Sequence, residues 1–151
     1  MFTATAHIRV RRPITDVFGF VEDARNRPQW DDTVISEEIT SALPITVGTT
    51  VRTRLRSMGR DYTYTWVVLD HQEPVRMTIG SVTGPLPTTL QFTLSGDETQ
   101  TLVEFTVIGR PTGMMRVLQP MIARTTQRNL DRNFEVLGRL LETDGASSTA
   151  D

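Results

Sequence analysis

The residue types that could do proton or charge chemistry are few in this 151-residue chain. Its two histidines, His7 and His71, have no carboxylate or second histidine at metal-ligand spacing. They read as a polar-face strand residue and a residue of the turn "DHQEP", although imidazole titrates near neutrality and could serve as an acid or base. Asp31 and Asp32 follow Trp30, and "SEE" adds Glu37 and Glu38. Two such carboxylates could divide acid and base roles; otherwise they are solvated loop and edge-strand groups. There is no cysteine, hence no thiol nucleophile, thiolate metal site or disulfide. No G-x-S-x-G elbow, P-loop or G-x-G-x-x-G is present. Neither a metal nor a cofactor is expected.

Three further groups of side chains stand out. Arg52, Arg54 and Arg56, extended by Arg60, share one parity opposite Val51 and Leu55. Alternation then puts the arginines toward water if the apolar pair faces inward; as a surface they could dock an anionic partner or lipid headgroups. In "DYTYTWVVLD", Tyr62, Tyr64, Trp66 and Val68 share a parity, and their bulk argues for the interior. Phenols there could orient a ligand carbonyl or hydroxyl; packing across strands is the other reading. Near the C-terminus, an apolar stripe is interrupted by Thr126, with Thr125, Asn129 and Asn133 beside it and Arg124 and Arg128 flanking. Polar groups in a core stripe need partners or water, or they face solvent. A polar patch in an apolar cavity would orient an amphiphilic ligand.

The elements that must position these groups follow from periodicity. Ala4, Ala6, Ile8 and Val10 alternate with polar residues, a half-buried strand. Pro13 starts a helix with Ile14, Val17, Phe18 and Val21 on one face, and a short turn at "EDAR" ends before Pro28. From Asp32 to about Arg110 six strands are separated by "LPITVG", "MGRD", "HQEP", "TGPLP" and "SGDE". A long helix is expected over Gly113–Glu142, kinked or broken at Pro120. The tail, 143–151, is small and polar and expected to be disordered.

Composition narrows the class. With 38% apolar and 23% charged residues and a net charge of −2, this is one globular domain over 1–142 without a basic footprint for nucleic acid. No stretch is apolar enough to span a bilayer, so no integral membrane association is expected. The N-terminal "MFTATAHIRVRR" lacks the pattern of a signal peptide, and a cytoplasmic location is the expectation. A seven-stranded sheet with one apolar face and one long helix to cover it should curl around that helix and leave a gap. Trp30 would close one mouth of that gap, its ring buried under the loop.

Three stretches, in this order, carry a resemblance. They are "RRPITDVFGFVEDARNRPQW", with Pro13, Val17, Phe18, Asp23, Pro28 and Trp30, then "VVLDHQEPVRMTIGS", then "LQPMIARTTQRNLDRNFEVLGRLLE". The chain resembles the START-like (SRPBCC) superfamily, in its polyketide cyclase/dehydrase and lipid-transport branch, from Phe2 to Glu142. The resemblance implies an α+β helix-grip fold: a curved seven-stranded antiparallel sheet around a long C-terminal helix, with two short helices after the first strand. It also implies an apolar cavity. The candidate wall is Trp30, Val51, Leu55, Tyr62, Tyr64, Trp66, Met77, Ile79, Leu90, Phe92, Phe105, Met115, Ile122, Thr126, Asn129 and Asn133. The expected function is binding or carriage of a hydrophobic or amphiphilic small molecule (lipid, quinone or polyketide-like) rather than catalysis. The alternatives are a polyketide aromatase/cyclase drawing on Tyr64, Arg124 and Arg128, and a docking domain using the arginine row. A homodimer is compatible with all three.

Overall fold

Alternating small or branched residues make Phe2–Val10 the first strand, β1, with Ala4, Ala6 and Val10 buried. Pro13 caps rather than enters the next helix, α1 (Ile14–Val21), which buries Val17, Phe18 and Val21. A 3₁₀ helix then runs over Ala24–Gln29, with the Asp23 carboxylate accepting from the Arg25 N–H at its start. It is longer than the expected turn, because a proline inside a 3₁₀ segment sacrifices less hydrogen bonding than one inside an α-helix, and Pro28 sits within it.

Six more strands complete the sheet: β2 (Val34–Ile39), β3 (Thr50–Ser57), β4 (Arg60–Gln72), β5 (Arg76–Thr83), β6 (Thr88–Gly96) and β7 (Thr101–Gly109). With β1 they form one antiparallel sheet in the order β1-β7-β6-β5-β4-β3-β2, a meander whose first strand returns to pair with the last. The expected long helix is divided. A second 3₁₀ helix covers Gly113–Arg116 and α2 begins at Gln119 (Gln119–Ala150), so the break precedes Pro120, which falls in the first turn of α2 where its missing N–H is harmless. The computed structural model describes residues 1–150, with side chains as far as Glu142; the polar tail expected over 143–151 lies outside the residues so described.

Two of the three register shifts in the sheet decide where Glu37 and His71 face. A bulge between Val34 and Ser36 exposes Ile35 and returns Glu37 to the concave face opposite Thr53. A second, between Val68 and Asp70, exposes Leu69 and aligns His71 with Met77. Each inserts one residue and so reverses the parity of the residues after it.

The curved sheet wraps α2, the helix-grip arrangement the sequence implied. Leu130, Phe134, Leu137 and Leu141 of α2 are buried against Val10, Val103 and Phe105. Along the outer edge of β1, the Gln127 amide receives the Thr5 N–H at 3.1 Å and donates to the Thr5 carbonyl at 2.8 Å, standing in for a neighbouring strand. No described helix is long and apolar enough to cross a membrane.

Candidate functional site

A cavity of about 380 Å³ lies between the concave sheet and α2, in the range of small-molecule sites. The sheet contributes Leu55, Tyr62, Tyr64, Trp66, Leu90 and Phe105; the C-terminal segment contributes Met115, Ile122, Thr126, Asn129 and Asn133. All eleven were candidates from sequence. The remaining five, Trp30, Val51, Met77, Ile79 and Phe92, line a second, smaller cavity of about 40 Å³ against α1, the first 3₁₀ helix and β2, and Trp66 borders both.

Trp30 lines the smaller space only. Its indole is 4% exposed and meets Phe92, Phe105 and Phe134 edge-on at 6.5, 6.4 and 5.9 Å between ring centres. A tryptophan in a polar loop is thus explained by the core beneath it, and the ring anchors the loop rather than lining the large cavity. Above it, the Arg27 guanidinium lies 5.9 Å from the ring centre, within cation–π range.

That loop brings a polar cluster to the cavity which sequence reasoning had left in solvent. The Asp31 carboxylate accepts from Arg27 Nε at 3.1 Å, from the Thr33 N–H at 3.1 Å and hydroxyl at 2.7 Å, and from Asn133 Nδ2 at 3.0 Å. Asn133 is therefore polar because it clamps the loop to α2. Asp32, one residue on, points the other way and pairs with Arg132 at the surface. Arg27, Asp31, Thr33 and Asn133 all reach the large cavity.

Glu37 was likewise expected to be solvated, and the β2 bulge overturns that. Its Oε2 accepts from the Thr53 hydroxyl at 2.6 Å, and Thr53 in turn receives Trp66 Nε1–H at 3.0 Å. Burial pushes the Glu37 carboxyl above its ordinary value, against the lowering influence of nearby Arg27. Glu38 stays outside and pairs with Arg52. His71 is also misplaced by a turn reading. It belongs to β4, its imidazole nitrogen 3.1 Å from Glu22 and its ring edge-on to Phe18. Burial raises the Glu22 carboxyl too.

The aromatic strand faces inward. Tyr64 stacks on Trp66 at 4.9 Å and 11°, and burial raises its phenol above the ordinary value. The strand connection accommodates it through Gly84: at φ +148°, a Cβ there would lie 2.5 Å from the Tyr64 ring. The arginine row faces water as expected, with Arg52 beside Glu38 and Arg54 and Arg56 beside Asp61. Arg124 and Arg128 are exposed and line neither cavity, because they fall on the helix face turned away from the sheet. The arginine at the cavity is Arg27. The signal that could have found it is the i, i+4 spacing to Asp31 across a proline-bearing helical turn. Among the described residues, no group of three or more His, Cys, Asp or Glu could hold a metal ion.

A curved sheet wrapped on one long helix is the architecture the sequence resemblance implied, and comparison with known families decides the family. The family model described as polyketide cyclase/dehydrase and lipid transport matches residues 1–142. The chain belongs to that family.

Solved structures share the fold of this family member at low identity. A START superfamily protein from Mycobacterium smegmatis is 16% identical with a TM-score of 0.66, over 94% of this chain and 95% of that one. The Zhui aromatase/cyclase from Streptomyces sp. R1128 is 16% identical with a TM-score of 0.62, over 92% and 95%. TTHA0849 from Thermus thermophilus is 16% identical with a TM-score of 0.78, over 91% and 95%. No curated protein matches the chain in sequence. This START-like family member therefore has a ligand-binding fold of the polyketide cyclase type.

Proposed function

We propose that this family member binds an amphiphilic small molecule in the large cavity and carries or presents it without changing it. The observation behind the reading is the composition of one wall against the other. The sheet side is almost entirely apolar and aromatic, whereas the helix and loop side gathers Arg27, Asp31, Thr33, Thr126, Asn129 and Asn133. A molecule with an apolar body and one polar end satisfies both. Asp31 already satisfies the Arg27 charge, so the polar end need not be an anion; a hydroxyl or carbonyl fits Asn129 and Thr126. A cytoplasmic location belongs to the same proposal.

The test is extraction of the protein purified from its own host, with mass spectrometry of the released material. The stripped protein is then titrated with N-phenyl-1-naphthylamine, read by tryptophan fluorescence. Thr126→Phe should fill the cavity and weaken uptake by at least about tenfold while leaving the fold intact. A stripped protein that takes up neither its extract nor the probe would refute the reading.

A second reading, closure of a poly-β-keto chain, draws on the two phenols of Tyr62 and Tyr64 sharing that cavity with Arg27, and on the aromatase/cyclase named among the structural relatives. Ring formation from a thioester-bound polyketide mimic that is lost in Tyr64→Phe would favour it over carriage.

A further inference from the structure

The cavity opens at one end of the sheet, where exposed Met58, Pro85 and Leu118 belong to its wall. The meander brings the β3–β4 hairpin, the β5–β6 loop and the start of β1 to this end, and Gln119 joins it through its hydrogen bonds to Met1. The segment from Met114 to Ile122 forms one lip, and apart from Arg116 and Gln119 it carries apolar side chains on both sides. Met115 and Ile122 face the cavity, while Met114 and Val117, 88% and 81% exposed, face outward beside Leu118 and Met121. Exposed apolar side chains clustered in this way mark an interaction surface.

Charge says what covers this one. From Phe105 to Leu130 the chain carries four arginines and no carboxylate, in a protein whose net charge is −2. Arg60, Arg110 and Arg116 are exposed on the hairpin, the end of β7 and the lip, Arg124 is exposed just beyond the lip on the outer face of α2, and none forms an ion pair among the described residues. By contrast, each arginine of the row at Arg52, Arg54 and Arg56 has a carboxylate beside it, Glu38 or the shared Asp61. Outward apolar side chains ringed by unneutralised arginines match an anionic bilayer: acyl chains below, phosphates at the level of the guanidinium groups. A water-soluble acidic partner would satisfy the arginines but leave Met114 and Val117 uncovered.

We propose that the cavity mouth docks on anionic lipid bilayers, with Met114 and Val117 entering the interface and Arg60, Arg110, Arg116 and Arg124 contacting headgroups. The docking depends on surface residues and stands whether or not the cavity carries a ligand. It is tested by co-sedimentation with phosphatidylcholine vesicles with and without phosphatidylglycerol. Binding is expected only with the anionic lipid and should weaken as salt rises. Each arginine neutralised should cost about fivefold in partitioning, so Arg116→Gln with Arg124→Gln should cost about twenty-five-fold. Met114→Asp with Val117→Asp should abolish it. Both pairs are solvent-exposed, so circular dichroism and probe uptake from water should be unchanged; that readout separates a failure of docking from a failure of the cavity. Arg54→Gln is the control and should bind like the parent. Absence of binding at low salt, or binding indifferent to the Met114/Val117 pair, would overturn the proposal. So would sedimentation showing that this pair converts a dimer into a monomer, since a second copy would then cover the face.

Discussion

Asp31 and Asp32 are adjacent carboxylates of identical chemistry with opposite surroundings, which makes them a controlled experiment on the loop clamp. The Asp31 side chain is 8% exposed and its partner Arg27 19%, whereas Asp32 and Arg132 are 59% and 49% exposed. Asp31→Ala strands a nearly buried guanidinium together with the Thr33 hydroxyl and the Asn133 amide. Removing one partner of such a pair costs about 3–5 kcal/mol. For a chain of this size that is a fall in Tm of about 6–20 °C, at roughly 2–4 °C per kcal/mol. Asp32→Ala removes only a surface pair and should cost at most about 1 kcal/mol. Urea denaturation of both variants and of Arg27→Met/Asp31→Leu reads the difference. The double variant should recover most of the loss, since it leaves no uncompensated charge. If Asp31→Ala and Asp32→Ala cost the same within about 1 kcal/mol, the clamp is hydrated and the reasoning fails.

Two further expectations rest on the cavity walls. The Glu37 carboxyl is raised by burial, so the folded state holds its proton more tightly than the unfolded chain. Its contribution to stability is complete below the ordinary glutamate range and is lost as pH rises through the elevated folded value. Glu37→Gln should therefore gain on the parent as pH rises from about 4, near the ordinary glutamate value, to about 8; parallel Tm–pH curves would refute the assignment. At Gly84, an added methyl must displace the Tyr64 ring and accept a positive φ. Gly84→Ala should cost more than about 1 kcal/mol and weaken probe uptake, because the ring has only the cavity to move into; unchanged uptake would place the relief elsewhere.

Most of the architecture was legible because its signals are periodic. The strands alternate, α1 has one apolar stripe, and Pro120 marks where the C-terminal helix changes character. Bulk argued for an inward Tyr62, Tyr64 and Trp66 but left packing across strands open, and the burial of Tyr64 and Trp66 decides it. Glu37 and His71 could not be read, because each lies just beyond a bulge that shifts register by one residue while leaving local composition ordinary. Asp31 was hidden for another reason. Its burial depends on Asn133, 102 positions away, and no local pattern separates it from Asp32. Arg124 and Arg128 failed as cavity residues because three- and four-residue spacings tolerate a rotation of one position, enough to carry a side chain off the inner face.

The Gln127 amide blocks the β1 border at mid-strand by occupying the Thr5 N–H and carbonyl that an incoming strand would need. The opposite border, at β2, is short and interrupted by its bulge. Growth by strand addition cannot propagate through a body with a single sticky side. Two molecules meeting β2 to β2 across a two-fold axis would consume both borders at once and end the series there. One glutamine thus favours a closed pair over a filament in any edge-to-edge association of this fold.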